Sequence, residues 1–446
     1  MTFITTIAAF SNQGLGGIGG EPVGQGFVNS NSFNITLVAL HVDDTNIYVG
    51  GSQGLTSAYI SRFQLVNDST VFSGSVGSGT TLARLTSMVV NNDINANIYA
   101  VYYSVSNVSG TNYGTIILKK FSIYGDILGS KTLITDSGSY MSWQNTYITQ
   151  DSTGYLYATY NTAYAGSTTG LPGARIQKMD NLGTTVWTVT LKPTTTSSVS
   201  NYAVSRSVAV DSTNNVYVLY YYTVAGTGGY DSYYNVLVKF SSAGAVIWCK
   251  RLNATDRFQS IKIINNTLFL LGSNTGFQTA ANDIMQLNTD GTILAQFNFG
   301  LQGEFTTDVT KDTAGNYYFT VGNSIIKTDS AFTIIYVRKI TNNSVVISIS
   351  SIQWRNNLLY FTIIGATGAA NGLVMKVPED RIIRKGNYIV GTNNIVMYNS
   401  TATKANTTYT LSTETKIVTT LTTTSSSITA GTGTIGLDGN WTNYLI

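Results

Sequence analysis

The sequence predicts an all-β protein: a seven-bladed β-propeller with a small Thr-rich C-terminal β appendage. Three observations carry that expectation. No window of a dozen residues has a 3.6-residue apolar rhythm, while β-branched residues and Tyr abound and only 4 of 446 residues are Pro; this is strand composition. A strand built around an aromatic recurs seven times along the chain. A hairpin carrying one basic residue recurs in alternation with it.

The aromatic strand follows a turn in each copy: TNIYVGG at 45–51, ANIYAVY at 96–102, DSTGYLYATY at 151–160, DSTNNVYVLY at 211–220, NNTLFLLG at 265–272, KDTAGNYYFTVG at 311–322 and NNLLYFTIIG at 356–365. From Tyr48 to Tyr360 the anchors are 51, 58, 60, 52, 49 and 42 residues apart, a period that belongs to propellers or solenoids. The second anchor is an apolar-x-Lys/Arg-apolar strand with a turn residue five positions on: Arg62 to Asn67, Lys120 to Gly125, Lys178 to Gly183 and Lys239 to Gly244, with Gln286 to Gly291 in the same frame. Gly and Asn tolerate the positive φ that a tight hairpin demands. In copies six and seven Phe332 and Arg381 stand there instead, so those two hairpins are expected to turn differently. Four antiparallel strands per unit, repeated seven times, describe propeller blades.

The recurring basic residue has two readings. In the favoured one its alkyl stem covers a strand face while its head reaches solvent or caps a neighbouring strand. In the other, a ring of cations surrounds a central channel and binds an anion.

These units resemble the β-propeller repeat proteins of bacteria and tailed phages, whose blades read D-x-x-G-N-x-Y and then K-x-D-x-x-G-x-x-x-W. KDTAGNYYFTVG at 311–322 and KMDNLGTTVW at 178–187 match best, and the resemblance spans about residues 35–390. It implies architecture rather than activity, because propellers host binding, enzymatic and structural roles alike.

Three regions are expected. Residues 1–34, with a strand-like TFITTIAAF and a Gly-rich link, form an N-terminal arm that closes the ring by pairing into the last blade or docks on a neighbouring subunit. Residues 35–390 form the propeller. Residues 391–446 form the Thr-rich appendage, packed on the propeller or on a partner because a short β element rarely stands alone.

Composition narrows the function. Charged residues are 11% of the chain and the formal net charge is +3, with Lys and Arg scattered singly, so no nucleic-acid partner is expected. The opening residues lack a basic segment and a long apolar core, so no secretory signal is expected. Apolar runs such as TLFLLG at 267–272 fall short of the ~18 residues that span a bilayer, so no membrane insertion is expected. Cys249 is the only cysteine, which excludes an internal disulfide and reads as a small core side chain.

No catalytic constellation emerges. His41 is the only histidine and reads as structural, and Asp43 and Asp44 read as a turn. The acidic turns DSTG at 151, DSTNN at 211 and KDTAGN at 311 invite a calcium reading, but Asx-turns account for them. Asp180, Gly183 and Trp187 resemble a sialidase-type Asp box only in part. No cofactor or metal is expected.

The segment from the aromatic to the basic anchor is 21, 21 and 22 residues long in blades two to four, against 9 to 17 elsewhere. These loops should form a wall over one sector of one face. Their Tyr, Ser, Gly and Asn content suits recognition or simply long hairpins, and the candidate binding residues are Tyr113, Tyr164, Tyr222, Tyr230, Tyr233 and Tyr234. The expected function is that of a non-enzymatic structural or adhesion protein of a tailed-phage virion, in tail, fibre or capsid surface. It would act in multiple copies beside other virion proteins and possess a surface for a host glycan. The alternatives are a bacterial surface or secreted lectin and a propeller glycosidase or lyase.

Overall fold

A computed structural model describes residues 25–29, 35–53, 57–65, 70–78, 82–91, 97–108, 111–136, 146–161, 173–191, 203–225, 231–252, 258–272, 282–301, 304–342, 345–365, 373–378, 386–390, 393–406, 411–413, 418–421, 429–430 and 441–445. Every regular element among them is a β-strand.

The strands form seven antiparallel blades in chain order. Blade 1 holds β2–β5 (35–78), blade 2 β6–β9 (82–136), blade 3 β10–β13 (147–191) and blade 4 β14–β17 (203–252). Blade 5 holds β18–β21 (258–298), blade 6 β22–β25 (306–342) and blade 7 β26–β28 (345–378). Each blade's first strand packs against the next, and the seventh returns to the first. The fourth strand of blade 7 is β1 (Gln25–Asn29), paired with β28 (Leu373–Pro378). The ring is therefore closed by a strand from near the other end of the chain, while TFITTIAAF at 2–10 lies outside the described residues.

The core is divided as the repeat demands. Seven hydrophobic clusters fill seven interfaces, each drawing on two successive blades; one joins Tyr157 and Val189 of blade 3 to Val218 and Phe240 of blade 4. Another joins blade 7 to blade 1 through Tyr360 and Leu37. The anchor aromatics Tyr48, Tyr99, Tyr157, Tyr217, Phe269, Tyr318 and Tyr360 are all buried. Burying a large ring between blades gives each repeat an apolar contact it cannot make alone.

The turns explain the second anchor. In blades 2 to 5 the amide of Gly125, Gly183, Gly244 or Gly291 donates to the carbonyl three residues earlier at 2.9–3.1 Å. The sixth hairpin turns in the same way, contrary to expectation. Phe332 adopts φ 63° and its amide donates to the carbonyl of Asp329 at 3.1 Å. Burial resolves the conflict: the ring stacks on Tyr317 at 5.1 Å and meets Phe297 at 4.7 Å, so packing outweighs a backbone preference of about 1–2 kcal/mol. The corresponding residue of copy seven, Arg381, lies outside the described residues.

The Thr-rich tail takes the form of a belt. β30 (Asn393–Asn399) pairs with the outer strand of blade 6, β31 (Ala405–Asn406) with that of blade 5, and β32 (Leu411–Thr413) with that of blade 4. β33 (Val418–Leu421) then joins blade 3, β34 (Thr429–Ala430) joins blade 2, and β35 (Trp441–Leu445) pairs with β1 on blade 7. The tail thus passes the blades in reverse order, adding one antiparallel strand to each outer edge it meets.

Candidate functional site

The first strands of all seven blades surround a central cavity of about 740 Å³. Its wall is built by a repeated irregularity. In six blades the first strand carries a bulge, after which Ala39, Ser87, Ser207, Ser260, Asp308 and Ser351 occupy the same position. This small side chain stitches blades together: Ser87 Oγ accepts from the amide of Ile148 at 3.2 Å, and Ser207 Oγ accepts from that of Ile261 at 3.1 Å. Blade 6 alone substitutes an acid. Asp308 Oδ2 accepts from Ser351 Oγ at 2.8 Å and from the Ile352 amide at 3.1 Å, while Oδ1 lies 3.0 Å from Lys262 Nζ.

Lys262 and Asp308 are the charged side chains among the described residues lining this cavity. Both carboxylate oxygens are already engaged, so Asp308 is committed to holding blades 5, 6 and 7. Sequence reading passed over this residue. Aligning the first strands would have marked it, since TTDVTK has an acid where five of the other copies have Ser or Ala and blade 3 has Tyr147.

A second cavity, of about 630 Å³, opens at the end of the propeller carrying the turns after the first and third strands. It brings Lys262, Lys311, Trp354 and Arg355 together with Asp312. The cations are occupied: Lys311 Nζ lies 4.8 Å from the centre of the Tyr317 ring, and Arg355 Nη2 pairs with Asp44 Oδ1 at 2.7 Å, linking blade 7 to blade 1.

The acidic turns serve themselves. Asp151 Oδ1 accepts from the amides of Thr153 and Tyr155, both at 2.9 Å, and Oδ2 accepts from Tyr157 at 2.9 Å. Asp211 and Asp312 repeat this with Tyr217 and Tyr318, which explains the six-residue Asp-to-Tyr spacing of the repeat. Burial pushes the Asp211 carboxyl up, but hydrogen bonds from Thr213, Asn215 and Tyr217 outweigh it and hold it below the ordinary carboxylate range. Burial and the same bond push the Tyr217 phenol up. No group of three or more potential metal ligands occurs among the described residues.

The recurring basic residue caps the next blade. Arg62 donates to the carbonyl of Ile123, Lys120 to that of Asn181 at 3.2 Å, Lys178 to that of Ser242 at 2.8 Å and Lys239 to that of Thr289 at 2.8 Å. The four acceptors occupy the same position in successive turns, so these four cations are consumed between blades rather than gathered around the channel. His41 lies on the first strand of blade 1 with its ring 5.9 Å from that of Tyr48, and Cys249 packs half-buried against the core between blades 3 and 4.

The described candidate binding residues lie toward the opposite end. Blade 2 extends there as β7 (Asn97–Val108) and β8 (Thr111–Ser122), and blade 4 as β15 (Val216–Ala225) and β16 (Asp231–Phe240). Tyr113 is half-buried on β8, opposite Ser106. In the β15–β16 register Tyr222 pairs with Tyr234 and Thr223 with Tyr233. Tyr164 and Tyr230 lie outside the described residues. Blade 4 adds two arginines that sequence reading did not single out: Arg206 lies 4.3 Å from the centre of the Tyr221 ring, and Arg251 lies 5.0 Å from that of Tyr234.

No family model matches the chain, and no curated protein matches it. Solved structures resemble it distantly. A protein of unknown function from Bacteroides caccae shares 11% identity over 71% of this chain and 93% of its own, with a TM-score of 0.36. A chain of the mitotic checkpoint complex shares 10% identity over 84% of this chain and 100% of its own, at 0.40, and the polysaccharide lyase Uly1 shares 7% over 76% and 89%, at 0.34.

Proposed function

We propose that this protein is a non-enzymatic structural or adhesion component of a tailed-bacteriophage virion, located in the tail, a fibre or the capsid surface, with the propeller as an interaction scaffold. The observation that carries the reading is the belt. A subunit held at high local concentration in a particle endangers its neighbours through every free strand edge. Here the chain's own tail covers the outer edges of blades 2 to 7. The engagement of both Asp308 oxygens favours a scaffold over a glycosidase, which needs two available carboxyl groups.

Its partners in this reading are other virion proteins, with the particle surface as its location. Peptide mass spectrometry of density-purified virions from the phage that encodes the chain tests it: the chain is expected at a stoichiometry of several copies per particle. Its absence from purified particles would overturn the reading.

The second reading is a carbohydrate-binding lectin of a bacterial surface. The Tyr and Arg surface of blade 4 supports it, because tyrosine offers a rigid amphipathic face at low entropic cost. A glycan array with no ligand for the intact chain counts against it.

A further inference from the structure

Five blades leave an aliphatic side chain in solvent at one and the same structural position. The fourth strand of each opens with a β-bulge, three residues beyond the turn residue at positive φ, and the residue left out of register is Leu128, Val186, Ile247, Leu294 or Ile335. Their exposures are 42, 52, 51, 54 and 53%. Blade 1 carries Val71 at the same bulge, half-buried.

Single exposed apolar residues need no explanation, but these are not scattered. Eleven large apolar side chains are exposed among the described residues, and eight of them sit on the turn between third and fourth strands or within the first three residues of a fourth strand. All third strands run the same way, so these positions lie together around one end of the propeller. The described belt strands leave them uncovered. Their pairing begins after the bulge in each blade, at Gly129, Thr188, Lys250, Phe297 and Arg338.

We propose that this arc is the contact surface for a second copy of the chain, stacked turn end against turn end. Seven of the eight side chains, the five bulge residues with Tyr124 and Leu182, are 42–67% exposed. At on the order of 100 Å² each they offer about 700 Å², close to the ~800 Å² per partner that a specific complex buries. A feature repeated about the propeller axis mates with itself through a two-fold axis perpendicular to it, the symmetry of most homodimers. Nor does a single-sign field oppose contact. Asp180 and Asp329 are turned onto amides of their own turns, and Lys131 and Lys250 reach neighbouring turn carbonyls at the same end.

The inference does not rest on the particle reading, and its test uses the isolated full chain. Sedimentation is expected to show a dimer at about 100 μM, where a dissociation constant of micromolar order leaves mostly dimer. The double substitution Ile247→Asp with Leu294→Asp should weaken it at least about tenfold without changing the circular dichroism spectrum, whereas Tyr398→Asp on the belt should leave it unchanged. A monomeric wild-type chain, or a dimer indifferent to the double substitution, overturns the proposal. Should the double variant fail to fold, hydrogen exchange on the wild type decides: protection that grows with concentration must fall on residues 123–128, 181–186 and 242–247, and protection confined elsewhere refutes it.

Discussion

Lys178 of blade 3 holds its ammonium 4.1 Å from the centre of the Tyr155 ring and donates at 2.8 Å to the carbonyl of Ser242 in blade 4. A carbonyl at a turn tip has no ladder partner, and a long flexible cation reaches it while its stem stays against the aromatic face. Trp187 Nε1 donates to the same carbonyl at 3.1 Å, so Lys178→Met keeps the stem and that bond and removes only the ammonium donor. It is expected to lower unfolding stability by about 1–2 kcal/mol, read as a lower urea midpoint at unchanged slope, while Lys178→Arg retains most of it. An unchanged midpoint in the Met variant would show that the contact adds nothing.

Phe332 sets a backbone cost against a packing gain. Glycine there relieves about 1 kcal/mol of left-handed strain but removes a ring packed against Phe297, Tyr317 and Phe319, a loss of about 3–5 kcal/mol for large-to-small core changes. Phe332→Gly should therefore destabilise by roughly 2–4 kcal/mol, even though Gly occupies the matching position in blades 2 to 5. A thermal midpoint at or above that of the wild type would reverse the argument.

The repeat was legible because five of the seven copies state it twice: once in aromatics such as Tyr157 and Tyr217, whose rings need a partner blade, and once in turn residues such as Gly183 and Gly244, whose φ few other residues adopt. Three features were not. Phe332 reads as an exception because a turn preference is local, and the cluster that overrides it includes Phe297, 35 residues away. The belt strands contribute as few as two ladder residues each, too short for alternation to register against a Thr-rich background. Asp308 reads as one acid among many until its strand is aligned with the other first strands, because its meaning depends on Lys262 in a different blade.

Removing the belt tests its role. A chain ending at Ser400 keeps all seven blades and β30 but loses β31 to β35, uncovering the outer strands of blades 2 to 5 and the free side of β1. Unpaired edges template intermolecular pairing, so this variant is expected to fold, to be cut faster by protease near residues 25–29, and to aggregate at concentrations where the full chain stays dispersed. Light scattering and limited proteolysis supply the comparison. Equal behaviour of both chains would mean that the belt does not protect the edges.

Stability should fall at both extremes of pH, for opposite reasons. Hydrogen bonds hold the carboxyls of Asp43, Asp211 and Asp312 below their ordinary 3.8 despite burial. Each binds a proton less readily when folded, so its contribution is complete above that value and disappears as pH drops through the lowered one. Burial acts on the phenols in the other sense, pushing Tyr48, Tyr102 and Tyr103 up to about 12 and raising Tyr157 and Tyr217 as well. The unfolded chain loses these protons near 10, so their contribution is intact below pH 10 and is lost as pH rises from there through the raised values. Urea midpoints measured across pH should form a plateau with an acid shoulder below about 4 and an alkaline one above about 10. Phenolate absorbance provides the sharper check, because the buried rings should ionise together with unfolding; a single smooth titration of all 29 tyrosines near 10 would mean that the anchor rings are not held between blades.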